Sequence, residues 1–182
     1  MKHILLSLFL GGFCSLFAQP LHKEMPDMAR FTGDKKGLTD LVQYLLASDR
    51  KTRNKLSATL KPMSEDYETV FTDNAFAAKI HRYYRKLNNA YSLTIQPNLE
   101  GQTEMLLWEV DVQQLKNYVG DAMYFPGGYK EIADKMNPDL HYFRFKYVQP
   151  GRSTGSSYDM LVYVNGAWRY FPRPWAAEFK KQ

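Results

Sequence analysis

The dipeptide Asn165-Gly166, set between "YDMLVYV" and "AWRYFP", constrains this chain more than any other feature. Asn-Gly between apolar runs predicts a two-residue hairpin, because a type I′ turn needs positive φ at both central positions. Such a turn fixes a register in which Val164 faces Ala167, Tyr163 faces Trp168, Val162 faces Arg169 and Leu161 faces Tyr170. Leu161, Tyr163, Trp168 and Tyr170 then share one face, and Met160, Val162, Val164 and Phe171 share the other with Arg169. Both faces of the strand from Tyr158 are largely apolar, which predicts a central place in its sheet. Pro172 and Pro174 end the ladder.

A second strand precedes it. In "HYFRFKYV", His141, Phe143, Phe145 and Tyr147 point one way, while Tyr142, Arg144, Lys146 and Val148 point the other. Further upstream, "YSLTIQP" and "TEMLLWEV" read as strands separated by a turn at "NLEG". Asp111 is placed to cap a short helix that stops at Gly120, and "YKEIADKM" reads as another, ended by Asn137 and Pro138.

Towards the N-terminus the apolar period changes. Leu38, Leu41, Val42, Leu45 and Leu46 keep the i, i+3, i+4, i+7, i+8 spacing of one helix face. Asp49 predicts a second helix that Pro62 ends, with Arg50, Lys51, Arg53 and Lys55 on a solvated face. Ser64 is the expected cap of a third, and Asp73 starts the longest, whose Phe76, Ile80, Tyr83, Tyr84 and Leu87 form a core stripe. Arg82, Arg85 and Lys86 lie in its last turns, where cations meet the negative end of the helix dipole.

The chain opens "MKHILLSLFLGGFCSLFAQ", the layout of a secretory signal peptide with Ala18 at the cleavage position. The expected organisation is a signal over 1–18, an extended, mobile lead-in over 19–37 and a single α+β domain over 38–182. The destination is the periplasm or the exterior. Acylation at Cys14 is disfavoured by bulky Phe13 before it. The apolar run is too short and interrupted to span a bilayer, so no stable membrane insertion is expected once the signal is removed.

These ends exclude several classes. The only cysteine, Cys14, lies inside the signal, so disulfides do not staple the exported fold. A net charge of +5 from 24 basic and 19 acidic residues does not argue for nucleic acid. Scattered histidines and two carboxylates, Glu109 and Asp111, give no metal-ligand spacing, and no metal or cofactor is expected. "GRSTGSS" lacks the lysine of a phosphate-binding loop, and no G-x-S-x-G is present.

Helices first, then a strand pair, a helical insertion and a closing antiparallel meander predict helices packed on one side of a curved, mainly antiparallel sheet. Over about residues 38–175, this order of elements resembles the NTF2-like (SnoaL-like) cone fold. The stretch "PGRSTGSSYDMLVYVNGAWRYFPRPW", with "FPGGY" upstream, also resembles a pattern of uncharacterised secreted bacterial proteins. The resemblance implies N-terminal helices capping a bent sheet around an apolar cavity. It names no activity, because that fold serves isomerases, dehydratases, cyclases and binding modules alike.

Asp159 alternates onto the face of Leu161, Tyr163 and Trp168, where an unpaired carboxylate is costly and its pKa rises. His141 is its expected partner in an acid/base dyad, if the two strands are neighbours. The alternative is structural, with Asp159 held by loop amides or by an arginine such as Arg152. The number of rings favours a binding module whose lining, Tyr163, Trp168, Leu161, Tyr170, Phe143 and Phe145, holds a small apolar or mixed ligand. A cone-fold enzyme using Asp159 and His141 is the second reading. The third is an envelope protein-interaction module docking through "FPRPWAAEF". A homodimer is left open.

Overall fold

A strand that is apolar on both faces, as the one from Tyr158 is, needs cover on both sides, and that requirement sets the architecture. The computed structural model describes residues 21–88 and 94–179 of the chain. It is α+β: helices pack against a four-stranded antiparallel sheet of order β1-β2-β3-β4, formed by β1 (Glu104–Val110), β2 (Tyr142–Val148), β3 (Gly155–Val164) and β4 (Ala167–Tyr170). The hairpin register is Val164↔Ala167, Tyr163↔Trp168, Val162↔Arg169 and Leu161↔Tyr170, as the Asn-Gly turn predicts. Asn165 and Gly166 take φ of 51° and 76°, the left-handed conformations that this turn demands.

Helices cover both faces of the sheet rather than one. On one face Phe143, Phe145, Tyr147, Leu161, Trp168 and Tyr170 pack against α1 (Lys35–Leu46) and α2 (Arg50–Thr59). On the other, Tyr142, Met160, Val162, Val164 and Phe171 pack against α3 (Ser64–Val70) and α4 (Asn74–Asn88). The short α5 (Val112–Asn117) and α6 (Gly128–Ile132) join this second layer. The strip "FPRPWAAEF" is not a free docking tail. Phe171, Ala176 and Ala177 are buried, the Tyr84 hydroxyl donates to Pro172 O at 3.0 Å, and α7 (Ala176–Phe179) is held by Glu178 between Lys79 and Lys135.

Helix starts follow local chemistry. Asp34, Asp49 and Asp111 accept the amides of Gly37, Thr52 and Gln114, each at 2.7 Å, and Asp73 accepts that of Phe76 at 3.0 Å. These carboxylates satisfy donors that the first turn leaves unpaired. Ser64 is not the cap of α3: Met63 occupies that position and donates its amide to Asp66 at 2.7 Å. Arg53, expected on a solvated face, instead donates to the carbonyls of Leu45, Leu46 and Ser48 and so closes the end of α1. Helix α5 ends at Tyr118, φ 55°, two residues before the expected glycine.

Two expectations change. The described part of the lead-in is fastened: His22 bridges to Ser48, the Tyr44 hydroxyl donates to Glu24 O at 2.8 Å, and Phe31 is buried in the α1/α2 core. Of the strand expected at 91–97, residues 91–93 lie outside the described residues, and 94–97 form no strand. Their amides are met by side chains instead, Ser57 Oγ for Ile95 and the Tyr158 hydroxyl for Gln96, both at 2.9 Å.

Asp66 is fully buried, at 0 % exposed, and accepts from Arg169 Nε at 2.6 Å and Asn165 Nδ2 at 2.8 Å. This triad fastens the hairpin to the start of α3. Arg169→Leu strands a buried carboxylate and is expected to cost roughly 3–5 kcal/mol, read as a lower urea midpoint at unchanged m-value. A loss below about 1 kcal/mol, the range of surface ion pairs, contradicts this account.

Candidate functional site

The residues singled out on the hairpin face divide into core and cleft. Trp168 is buried, with its ring 5.5 Å from Tyr163 and 5.3 Å from Phe143, and its Nε1 donates to Thr32 O at 3.0 Å. Leu161, Phe145 and Tyr170 are sealed in the same α1/α2 layer. They are packing residues of that layer and do not line the cleft that Tyr163 and Phe143 reach. Tyr163 and Phe143 do reach a cleft.

Asp159 is not on the face of Tyr163 and Trp168. The β2–β3 register shifts after Phe143, which pairs with Leu161, so that Arg144 pairs with Asp159 and Met160 is the extra residue, at φ 62°. A bulge breaks the alternation that strict period two assumes. Asp159 therefore turns to Arg144, Oδ1 to Nε 2.8 Å, and both side chains are nearly covered, at 14 % and 13 % exposed. Ser157 Oγ donates to the same oxygen at 3.1 Å. The carboxylate ties β3 to β2 through Arg144, not Arg152. Burial, then the Asp159 charge, pushes the Tyr129 and Tyr170 phenols well up, so both stay protonated beside it.

His141 does not meet Asp159 either. Its Nδ1 lies 2.9 Å from Glu109 Oε1, on the opposite side of β2 from β3. Glu109 pairs with Phe143 across the β1–β2 ladder, so it shares the face onto which His141 emerges one step before β2 begins. The predicted dyad is replaced by a different pair, His141–Glu109. The register of β1 against β2, which the sequence does not state, decides this.

That pair stands at the rim of a half-open cleft of about 390 Å³, lined by Gly33, Asp34, Glu109, Asp139, Leu140, His141, Phe143 and Tyr163. Two loops build its walls over the sheet end. The first follows Phe31: Thr32 O holds Trp168, and Gly33 lies so close to the Tyr163 ring that a Cβ there would come within 2.3 Å of Cδ1. Only glycine lets the backbone approach the ring this closely. The second is fixed by Asn137, whose Nδ2 donates to Thr69 O at 2.8 Å and whose carbonyl accepts the Tyr142 hydroxyl at 2.8 Å.

Three carboxylates and one imidazole face an apolar floor. The Gly37 amide and Thr32 hydroxyl hold the Asp34 carboxyl below the usual range, so it stays ionised into acid. The lining offers acceptors to hydroxyl or ammonium groups and ring surface to apolar ones. With Nδ1 engaged by Glu109, Nε2 of His141 is the nitrogen left for a ligand. Among the described residues no group of three or more His, Cys, Asp or Glu is placed to hold a metal. The sequence reading missed Glu109 as a partner and missed Gly33, Asp34 and Asp139 altogether.

Asp159→Asn leaves Arg144 without its counter-charge and is expected to destabilise by roughly 1–3 kcal/mol, read by urea titration, while leaving binding in the cleft untouched. Unchanged stability with lost ligand binding would return Asp159 to the site. Set against family models, curated proteins and solved structures, the chain matches none, so the chemistry of the cleft is argued from its own residues.

Proposed function

We propose that this chain is an exported binding protein that holds one small ligand of mixed polarity in the cleft between residues 31–34, the 137–141 loop and the ends of β1–β3. Export rests on the signal-like opening of the sequence. The observation that carries the binding reading is the cleft: about 390 Å³, within the span of small-molecule sites, with few polar groups converging over an apolar floor. Phe143 and Tyr163 supply ring surface, and Glu109, Asp139, Asp34 and His141 supply polar contacts. The ligand this lining suits carries hydroxyl or amino groups on a compact hydrocarbon frame. A purely apolar ligand would leave the carboxylates desolvated without partners. The resemblance to the NTF2-like cone belongs to this proposal and is supported by a helix-covered, bulged antiparallel sheet.

Acid/base chemistry is the second reading, favoured by one observation, the 2.9 Å contact between His141 and Glu109. In that case His141 is the acid or base and Glu109 orients it. Asp159 has no part in it.

Melting the protein against a panel of polyols, amino sugars, small amines and apolar controls tests both. A ligand at about 100 times its Kd adds about 2.7 kcal/mol of stability, a shift of several degrees. Gly33→Ala displaces the Tyr163 ring and is expected to weaken binding by tenfold or more with the fold retained. No shift from any hydroxyl- or amine-bearing compound, or equal shifts in wild type and Gly33→Ala, rejects the cleft. Consumption of the bound compound, lost in His141→Gln, decides for the enzyme.

A further inference from the structure

The sheet order leaves two edges, and they differ. The β4 edge is short and occupied: Tyr170 N donates to Leu60 O at 2.8 Å and Arg169 Nη1 to Thr59 O at 2.9 Å. The β1 edge is longer and open over most of its length. Its Glu109 amide points away from β2, to Asp121 Oδ2 at 3.4 Å. In an antiparallel ladder, residues two apart point the same way, so Met105 and Leu107 also turn their N–H and C=O groups outward. Among the described residues neither makes a hydrogen bond beyond that edge.

We propose that this edge is an interface at which a second copy of the chain adds its own β1, antiparallel, about a twofold axis at Leu106. The register follows from which groups are free. With the axis at Leu106, Met105 of each copy faces Leu107 of the other. The two pairs exchange four backbone hydrogen bonds, and Leu106 meets Leu106 as the close, non-hydrogen-bonded pair. An axis at Leu107 would instead require the Glu109 amide, which Asp121 already holds.

The side chains suit the same arrangement. The edge reads "MLLW", with each of these residues half-buried and no lysine, proline or bulge to discourage pairing. Glu104 of one copy falls opposite Trp108 of the other. Arg144 and Lys146 lie over that indole at 5.9 and 5.6 Å, so a carboxylate meets cations at both ends of the joined strands. Tyr124 stacks on Trp108 at 4.8 Å, and Met123 and Tyr124 are 64 % and 53 % exposed. They extend the apolar surface beyond the strand towards the ~1,200 Å² or more of stable interfaces. Pairing joins two four-stranded sheets into one and removes the exposed edge.

Sedimentation equilibrium of the full chain is expected to give a dimer. Leu107→Pro deletes an outward amide without touching the β1–β2 ladder, where an edge tolerates proline. It is expected to weaken the dimer roughly 100-fold through two lost bonds and a clash, with cooperative melting preserved. In a Cys14→Ser background, Leu106→Cys is expected to form an intermolecular disulfide under mild oxidation, because the two Cα atoms fall about 4.5–5.5 Å apart, whereas Glu100→Cys is not. A monomer at every concentration overturns the proposal. So does a dimer in which Leu106→Cys fails to cross-link, whatever Leu107→Pro does.

Discussion

The fold depends on β3 being apolar on both faces beyond Asp159, with β2 adding Phe143 and Phe145 to one side and Tyr142 to the other. Phe143, Phe145 and Leu161 need one cover, while Tyr142, Met160 and Val162 need another. A sheet with a single helical layer would leave half of these rings and branched chains in water, at about 25 cal/mol per Å² of apolar surface. The first two helices and the next two are therefore sent to opposite sides. The segment from Thr59 to Asp66 crosses between the layers at the hairpin end, where Leu60, Arg169 and Asp66 are joined.

A single irregularity then decides which side chains can act together. Met160, a non-glycine residue at positive φ, adds one residue to β3 opposite β2. Before it, Tyr158 looks towards α1 and α2. After it Leu161 does so, three positions on rather than two or four. Asp159 is thereby turned to Arg144 and away from the cleft. Left-handed backbone at a buried methionine is held only because the surrounding packing over-determines it.

The parts of this structure legible in the sequence were those that local chemistry fixes. Asn165-Gly166 predicts its own register, the spacing of Leu38 to Leu45 predicts a buried stripe, and Asp49, Asp73 and Asp111 each begin a helix by accepting the amide three residues on. What depended on distant pairings was not legible. The bulge at Met160 carries no glycine to mark it, so parity counted from the turn misplaced Asp159. The partner of His141 was hidden in the alignment of β1 on β2 across more than thirty residues. The cleft was missed because its first wall, at Gly33 and Asp34, lies in a segment whose composition reads as a tether, and a lone buried ring at Phe31 is a weak signal beside two prolines.

The closing contact between Thr32 and Trp168 spans 136 positions, and that between Val42 and Tyr147 spans 105. A chain emerging from a ribosome presents its N-terminal end first. The leucines of α1 thus have only Phe31, Leu56 and Leu60 of the early chain to bury against until the strands have appeared. Loop-closure entropy must be met before those contacts reward it, so α1, made early, completes its packing late. In the interval an amphipathic helix with a greasy stripe is available to whatever holds nascent chains, and the final strand pair acts as the latch that releases it.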